Sequence, residues 1–403
     1  MGTTLPSVLA QGRARELTRK RETTTLPRMI YLDHNATSPV MPEVADAMWP
    51  YLTEQWGNPS STYRFGATAK AAVENARHNV AALINAQPDE ILFTSGATEA
   101  NNTAIHAALA TQPERRHVIT SKVEHSSVLG YCESLQGRGI AVTYLDVNRE
   151  GQLDLAELSA AIRPDTAVVS LMWANNETGV IFPVAEIAAL CLERGVRFHC
   201  DAVQAVGKLP VDLRRQPIDY LSLSAHKIGG PKGVGGLAIR TGTAFAPLLV
   251  GGKQEGNRRA GTESVPLIVG LGVACGLAAR RGAAAWQPVM ALRDRFETQI
   301  MLKLPDAYRN GAATPRLPNT FNFGLPGVDS DALVTYLDSR GVCVSSGSAC
   351  MQSALAPSHV VLAMTQSHDR ASEAVRISLA LDTKPADLDH LVTLIGEFAA
   401  LPR

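Results

Sequence analysis

Tyr220-Leu221-Ser222-Leu223-Ser224-Ala225-His226-Lys227 opens as a short run rich in apolar residues and ends on a lysine, with Gly229-Gly230-Pro231-Lys232-Gly233 following at once. The run over 220–223 reads as a buried strand, and the turn after it sets the lysine at the strand end. The same pattern repeats along the chain. Strands are predicted over 90–94, 117–120, 142–144, 167–172, 197–200 and 235–239, with helices over 69–83, 98–110 and 184–194. Helices alternating with short buried strands predict an α/β layer fold with a largely parallel sheet. Beyond a helix over 292–304 the texture changes to Pro/Asn-rich turns, a helix over 332–339, a Gly/Ser/Cys loop and a final helix over 386–401. This last third reads as a smaller α+β domain, with the boundary near residue 285.

Composition supports two cores and excludes several functions. A chain of 403 residues exceeds what one hydrophobic core fills, and 45% hydrophobic with 19% charged residues is not a disordered composition. The 38 Lys+Arg balance 38 Asp+Glu, which removes the bulk field that nucleic-acid binders use, so no nucleic acid partner is expected. The longest apolar run, over 265–279, is too short for a membrane span and contains Gly270, Gly272 and Gly276. It reads as a buried helix, with no membrane partner. Six cysteines at 132, 191, 200, 275, 343 and 350 include no CxxC pair, so neither a disulfide framework nor a metal–thiolate scaffold is expected. Five of them read as small buried hydrophobes in a reducing compartment. Residues 1–28 are Thr- and Arg-rich without an apolar signal region. They predict a disordered extension, or an upstream start codon with translation beginning at Met29, and a cytoplasmic protein.

Ligands of such sheets sit at the carboxyl ends of the strands. After 90–94 comes Ser95-Gly96-Ala97-Thr98-Glu99, opening a helix: either an anion cradle or an ordinary N-cap made by Ser95 or Thr98. After 117–120 comes Glu124-His125-Ser126-Ser127, and after 167–172 the polar Asn175-Asn176-Glu177-Thr178-Gly179. After 197–200 comes Asp201-Ala202-Val203-Gln204, where the carboxylate is a helix cap or a fixed charge partner. With Lys227, the strand ends offer in order an anion cradle, an imidazole, a carboxylate and an amine. That set suits pyridoxal 5'-phosphate, which takes a Schiff-base lysine, an acid at its pyridinium nitrogen and donors for its phosphate. In the C-terminal third, Val344-Ser345-Ser346-Gly347-Ser348-Ala349-Cys350 predicts a mobile loop with a reactive thiol at Cys350.

Assembled, these residues resemble the class I cysteine desulfurases of the class V aminotransferase family. The likeness runs from about Tyr31 to the C-terminus. It includes Tyr31-Leu32-Asp33-His34-Asn35-Ala36-Thr37, Gly57-Asn58-Pro59-Ser60-Ser61, the segment 94–102, Asn175-Asn176-Glu177, Asp201-Ala202-Val203-Gln204, Ser224-Ala225-His226-Lys227, Arg259-Ala260-Gly261-Thr262 and 345–350. Segments 112–116 and 172–179 are most similar to the nitrogen-fixation branch.

The resemblance implies the pyridoxal-phosphate transferase fold type I: a large domain over 43–284 with a mainly parallel seven-stranded sheet flanked by helices. Residues 29–42 and 285–403 would form the smaller domain carrying the cysteine loop. Lys227 would hold the cofactor and shuttle the substrate Cα proton, while His125 would stack on the ring and assist proton transfer. Asp201 would pair with the ring nitrogen and Gln204 with the phenolic oxygen. Ala97, Thr98, Ser224 and His226 would bind phosphate, with Thr262 reaching in from a second subunit of a homodimer. Asn176 and Arg376, with Asn35, would hold the carboxylate of L-cysteine, and Cys350 would take its sulfur for an iron–sulfur scaffold protein. A selenocysteine lyase or an aminotransferase of the same fold is the alternative. Met351, Gln352, Ala356 and Lys253 depart from the usual pattern, which bears on acceptor choice and turnover.

Overall fold

The computed structural model describes residues 29–347 and 357–401. The predicted extension over 1–28 lies outside the described residues, as do Cys350, Met351, Gln352 and Ala356.

Chain order gives strands β1 (Ile30–Tyr31), β2 (Ile91–Thr94), β3 (His117–Ser121), β4 (Ala141–Leu145), β5 (Thr166–Met172), β6 (Arg197–Asp201), β7 (Tyr220–Ser224) and β8 (Gly235–Ile239). They continue with β9 (Tyr308–Arg309), β10 (Thr320–Gly324), β11 (Val342–Cys343), β12 (Ser345–Ser346) and β13 (Val375–Ser378). Seven of these form one sheet in the order β2-β8-β7-β6-β5-β3-β4. Strand β8 runs antiparallel to both its neighbours, and the pairs from β7 to β4 are parallel. Every residue of β3, β5, β7 and β8 is buried, so these strands read as continuous runs instead of alternating ones. The mainly parallel seven-stranded sheet expected from the sequence is therefore present. Most predicted strands lengthen by one residue at one end or both, while β2 shortens: Glu90 belongs to a 3₁₀ turn, Pro88–Glu90, because Pro88 starts the turn and the Glu90 carboxylate accepts the Gln87 N–H at 2.8 Å.

Helices cover the sheet on both faces. Arg64–Leu83 begins five residues before the predicted start, and its buried side packs along Val265–Arg281, where Gly272 meets Ala76. That pairing explains Gly272 of the longest apolar run: a Cβ at 272 would lie 2.5 Å from the Ala76 Cα. Among the described residues no single helix is long and apolar enough to cross a membrane. A second sheet, β12-β13-β10-β9, and the pair β1-β11 rest on helices Gln287–Lys303, Ser330–Asp338 and Pro385–Ala399, with a separate apolar core around Phe296, Phe321 and Phe323. Cys132, Cys191, Cys200 and Cys275 are buried as expected, but Cys343, on the two-residue strand β11, is only half-buried.

Candidate active site

The carboxyl ends of β2, β3, β5, β6 and β7 meet at one cavity of about 520 Å³. Its walls include Ala97 and Thr98 after β2, His125 after β3, Asn176 after β5, Asp201 and Gln204 at and after β6, and Ser224, His226 and Lys227 at and after β7. Nine of the residues expected from sequence thus converge on one space. Asn35 and Arg376 do not line it, and Thr262 lies exposed elsewhere on the chain.

The cradle forms because the helix Ala97–Ala110 starts at Gly96 without a side-chain cap. The cap reading of Ser95 or Thr98 is therefore corrected: the Ser95 N–H instead donates to Glu99 Oε2 at 2.8 Å. An uncapped first turn leaves backbone N–H groups and the positive end of the helix dipole turned to the cavity. Gly235, the first residue of β8, allows this approach, since a Cβ there would lie 2.8 Å from the Gly96 carbonyl carbon.

Asp201 ends β6 and is held as a carboxylate acceptor. Its Oδ1 takes the Val203 N–H at 3.0 Å and its Oδ2 takes Asn101 Nδ2 at 2.8 Å. Asn101 Nδ2 also donates to Ser127 Oγ at 2.9 Å, and Ser127 Oγ lies 2.8 Å from His125 Nδ1. The Ser127 N–H donates to the same Nδ1 at 3.1 Å, so Nδ1 is an acceptor and the neutral ring carries its proton on Nε2. Burial pushes the His125 imidazole below its ordinary range, the Asp201 charge opposing and Lys227 adding to the effect. At neutral pH the ring is a neutral donor at Nε2. His226, beside Thr37 Oγ1 at 3.2 Å, is driven down to about 4 by burial and by Lys227.

Lys227 Nζ donates to the Asn35 and Ala36 carbonyls, at 2.5 and 2.7 Å. The Asn35 carbonyl also takes Gln204 Nε2 at 3.0 Å. The Asn35 side chain is buried behind this layer, donating to the Asn176 carbonyl at 3.0 Å and to Thr320 Oγ1 at 2.8 Å. Arg376, fully buried on β13, donates to the same Asn176 carbonyl at 3.2 Å and to Asp33 Oδ1 at 2.6 Å. Both residues thus brace Asn176 from behind.

The residues present fit pyridoxal phosphate. An amine, a fixed carboxylate, a neutral imidazole and an uncapped helix start share one cavity, and that donor and acceptor set matches an aldehyde, a pyridine nitrogen and a phosphate. Sequence reasoning quoted the segments holding Asn101, Ser127 and Glu177 without giving these residues a role, and it missed Lys208; Asn101 and Ser127 join Asp201 to His125, and Lys208 and Glu177 are buried. Lys208 stands four residues after Gln204, a spacing that could have pointed to it; Asn101 reaches Asp201 across a separation of 100 residues and had no local signal.

Residues 30–391 match the family described as Aminotransferase class-V. The chain is 49% identical over 369 residues to the cysteine desulfurase of Trichormus azollae, covering 92% of each chain. It is 45% identical over 371 residues to the cysteine desulfurase IscS of Dictyoglomus turgidum, covering 92% of this chain and 94% of that one. Among solved structures, a NifS-like protein superposes with a TM-score of 0.86 at 35% identity, covering 93% of this chain and all of its own, 100%. A structure titled SspA in complex with cysteine superposes with a TM-score of 0.77 at 36% identity, covering 87% and 98%. With the lysine, the carboxylate and the uncapped helix start already around one cavity, these likenesses make the chain a member of the class-V aminotransferase family, a pyridoxal-phosphate-dependent cysteine desulfurase.

Proposed function

We propose that the enzyme converts L-cysteine to L-alanine and transfers the sulfur to Cys350 as a persulfide. The observation that carries this reading is the convergence of Lys227, Asp201, His125 and the Ala97–Thr98 helix start on one cavity. Lys227 would hold the cofactor, Asp201 its ring nitrogen, Gln204 its phenolic oxygen, and Ala97, Thr98, Ser224 and His226 its phosphate. When bound, pyridoxal phosphate supplies an electron-withdrawing ring that lowers the cost of removing the substrate Cα proton.

Each residue then has a defined task. Lys227 Nζ takes the Cα proton and returns a proton to the product carbons. His125, in the cavity wall, would hold the cofactor's ring and move a proton at Nε2. Asn176 holds the substrate carboxylate from the cavity wall; Arg376, buried behind it against Asp33, would join by turning its planar guanidinium to the same carboxylate, and Asn35 braces Asn176 through its carbonyl. The Cys350 thiolate attacks the substrate sulfur, so an S–S bond forms while the C–S bond breaks. The electron pair stays with the carbon skeleton, which is protonated to alanine, and no external oxidant is needed.

The reading extends to a homodimer in the cytoplasm, with Thr262 of each subunit serving the other's site. It is supported by the exposure of Thr262 and of Trp49, Leu52, Trp56, Tyr63 and Val250, the last at 81%. Two units, 43–284 and 29–42 with 285–403, go with this reading. The sulfur acceptor is a scaffold protein for iron–sulfur clusters, with the nitrogen-fixation branch favoured by segments 112–116 and 172–179. A visible spectrum of the purified protein before and after L-cysteine, with alanine quantified, tests the core of the proposal. Cys350→Ala should keep the cofactor band and lose sulfide and alanine production; full turnover in that variant would overturn the assignment.

A further inference from the structure

Lys208 is only 3% exposed, and its charge meets no acidic side chain in an ion pair among the described residues. A buried lysine without a counter-charge is costly, so the position calls for a role. Its Nζ lies 2.8 Å from Gln204 Oε1 and 3.3 Å from the Gln204 carbonyl oxygen. On the other side of the same carboxamide, Nε2 donates one hydrogen to the Asn35 carbonyl at 3.0 Å. The second Nε2 hydrogen meets no acceptor among the described residues, and Gln204 lines the cavity.

These contacts fix the amide in one orientation. An ammonium has three donors and no acceptor. Turning the carboxamide over would set its NH₂ against the Lys208 ammonium and its oxygen against the Asn35 carbonyl. Two attractions would become two repulsions, and the cavity would face a carbonyl oxygen instead of a donor. Burial, with the nearby Lys227 and Arg376 charges, lowers Lys208 to about 7. Even as an amine it keeps two donors, and the Asn35 carbonyl still opposes the flip.

We propose that Lys208 is a positioning residue: it locks the Gln204 carboxamide so that an Nε2 hydrogen is presented to the cofactor's phenolic oxygen. The inference rests on the reading that Gln204 meets that oxygen. A hydrogen bond to the oxygen weakens its hold on the proton it shares with the Schiff-base nitrogen. Removing the bond therefore raises the pH at which that proton is lost.

The test is a pH titration of the cofactor's visible band in the loaded enzyme, for Lys208→Met, Gln204→Leu and the double variant. Lys208→Met should raise the midpoint by about one unit, a tenfold gain in proton affinity, since hydrogen bonds to charged groups are of that order. Gln204→Leu should give a similar rise, and the double variant no more than either alone. Lys208→Gln, a polar side chain that accepts as well as donates, permits both amide orientations and should move the midpoint the same way. It serves as the second measurement should Lys208→Met fold poorly. A midpoint unmoved in Lys208→Met, or rises that add in the double variant, overturns the inference and leaves the reading of Gln204 standing. A midpoint unmoved in Gln204→Leu removes that reading and the inference with it.

Discussion

Gly235→Ala should separate the two halves of the cofactor cavity by a distance that can be worked from the backbone. Gly235 opens β8, opposite Thr94 on one side and Ser224 on the other, so it lies between the strand that leads to the cradle and the strand that leads to Lys227. A methyl group there would lie 2.7 Å from the Leu223 carbonyl oxygen, 2.8 Å from the Gly96 carbonyl carbon and 2.9 Å from its Cα. Ordinary contact begins at 3.4 Å, and all three atoms are backbone, so no side chain can swing away. The strands and the helix start must open by roughly half an ångström, against an interior packed like an organic crystal. Overpacking of this kind costs about 1–3 kcal/mol of stability. Displacement of the uncapped helix start should weaken cofactor binding by roughly tenfold to a hundredfold, given how steeply function falls with sub-ångström misplacement. Gly236→Ala is the internal control. Its methyl would meet Leu223 Cδ1 at 3.4 Å and the Leu92 carbonyl oxygen at 3.7 Å, both ordinary contacts. Urea unfolding of the apoprotein reads the stability, and an absorbance titration with pyridoxal phosphate reads the affinity. Wild-type affinity in Gly235→Ala, or equal losses in the two variants, would refute the argument that Gly235 sets the cradle.

Other perturbations have equally defined signs. Arg77 donates to both Glu255 oxygens, at 2.9 and 2.7 Å, in a buried pair; Arg77→Met should cost about 3–5 kcal/mol in urea unfolding, and adding Glu255→Leu should restore only part of it, because the buried Phe93 N–H then loses its Glu255 Oε2 acceptor at 2.9 Å. The Ile91 carbonyl, which Arg77 also serves, keeps Arg258 as a donor at 3.0 Å, so the loss reports the charge pairs of Arg77 with Glu255 and, at 3.1 Å, with the more exposed Glu74. His199, between Ser170 Oγ and Ser222 Oγ, is lowered from 6.5 to about 4 by burial, Asp201 opposing. The folded state binds fewer protons than the unfolded chain between those pH values, so stability falls as pH drops from 6.5 toward 4. By pH 5 the loss is about 2 kcal/mol, and His199→Gln should flatten that part of a stability–pH curve. Ser358 Oγ donates to the buried Glu177 Oε2 at 2.5 Å, next to the carbonyl braced by Asn35 and Arg376. Ser358→Ala should cost about 1–3 kcal/mol by leaving that carboxyl oxygen without its donor, and should lower alanine production more than cofactor affinity, measured side by side.

The parts of the fold and site that could be read from sequence are those whose signal is local. Strands β3, β5, β7 and β8 are buried on both faces and so appear as short apolar runs, and a polar residue just after such a run falls at the sheet's carboxyl edge. That is why Asp201 and Lys227 could be picked out before any contact was known. The two-residue strands β1, β11 and β12 are too short for a period, and they exist only through pairing with distant segments. The same holds for the side chains that finish the site. Arg376 meets Asp33 across 343 positions and Asn101 meets Asp201 across 100, and neither pairing leaves a pattern in its own neighbourhood. The correction at Gly96 shows a second reason. Ser95 and Thr98 have the chemistry of a cap, and a local rule assigns them that task, but the helix start has no side-chain cap. A cap that closed the first turn would also have closed the cradle. At Gln204 the logic is the same, because two of its hydrogen-bonding groups are engaged by Lys208 and Asn35, the remaining N–H meets no acceptor among the described residues, and the residue lines the cavity. Both features are donors withheld from the protein's own acceptors. Sequence rules pair donors with the nearest acceptor, so a site built from donors kept unpaired emerges only when the long-range contacts around them are known.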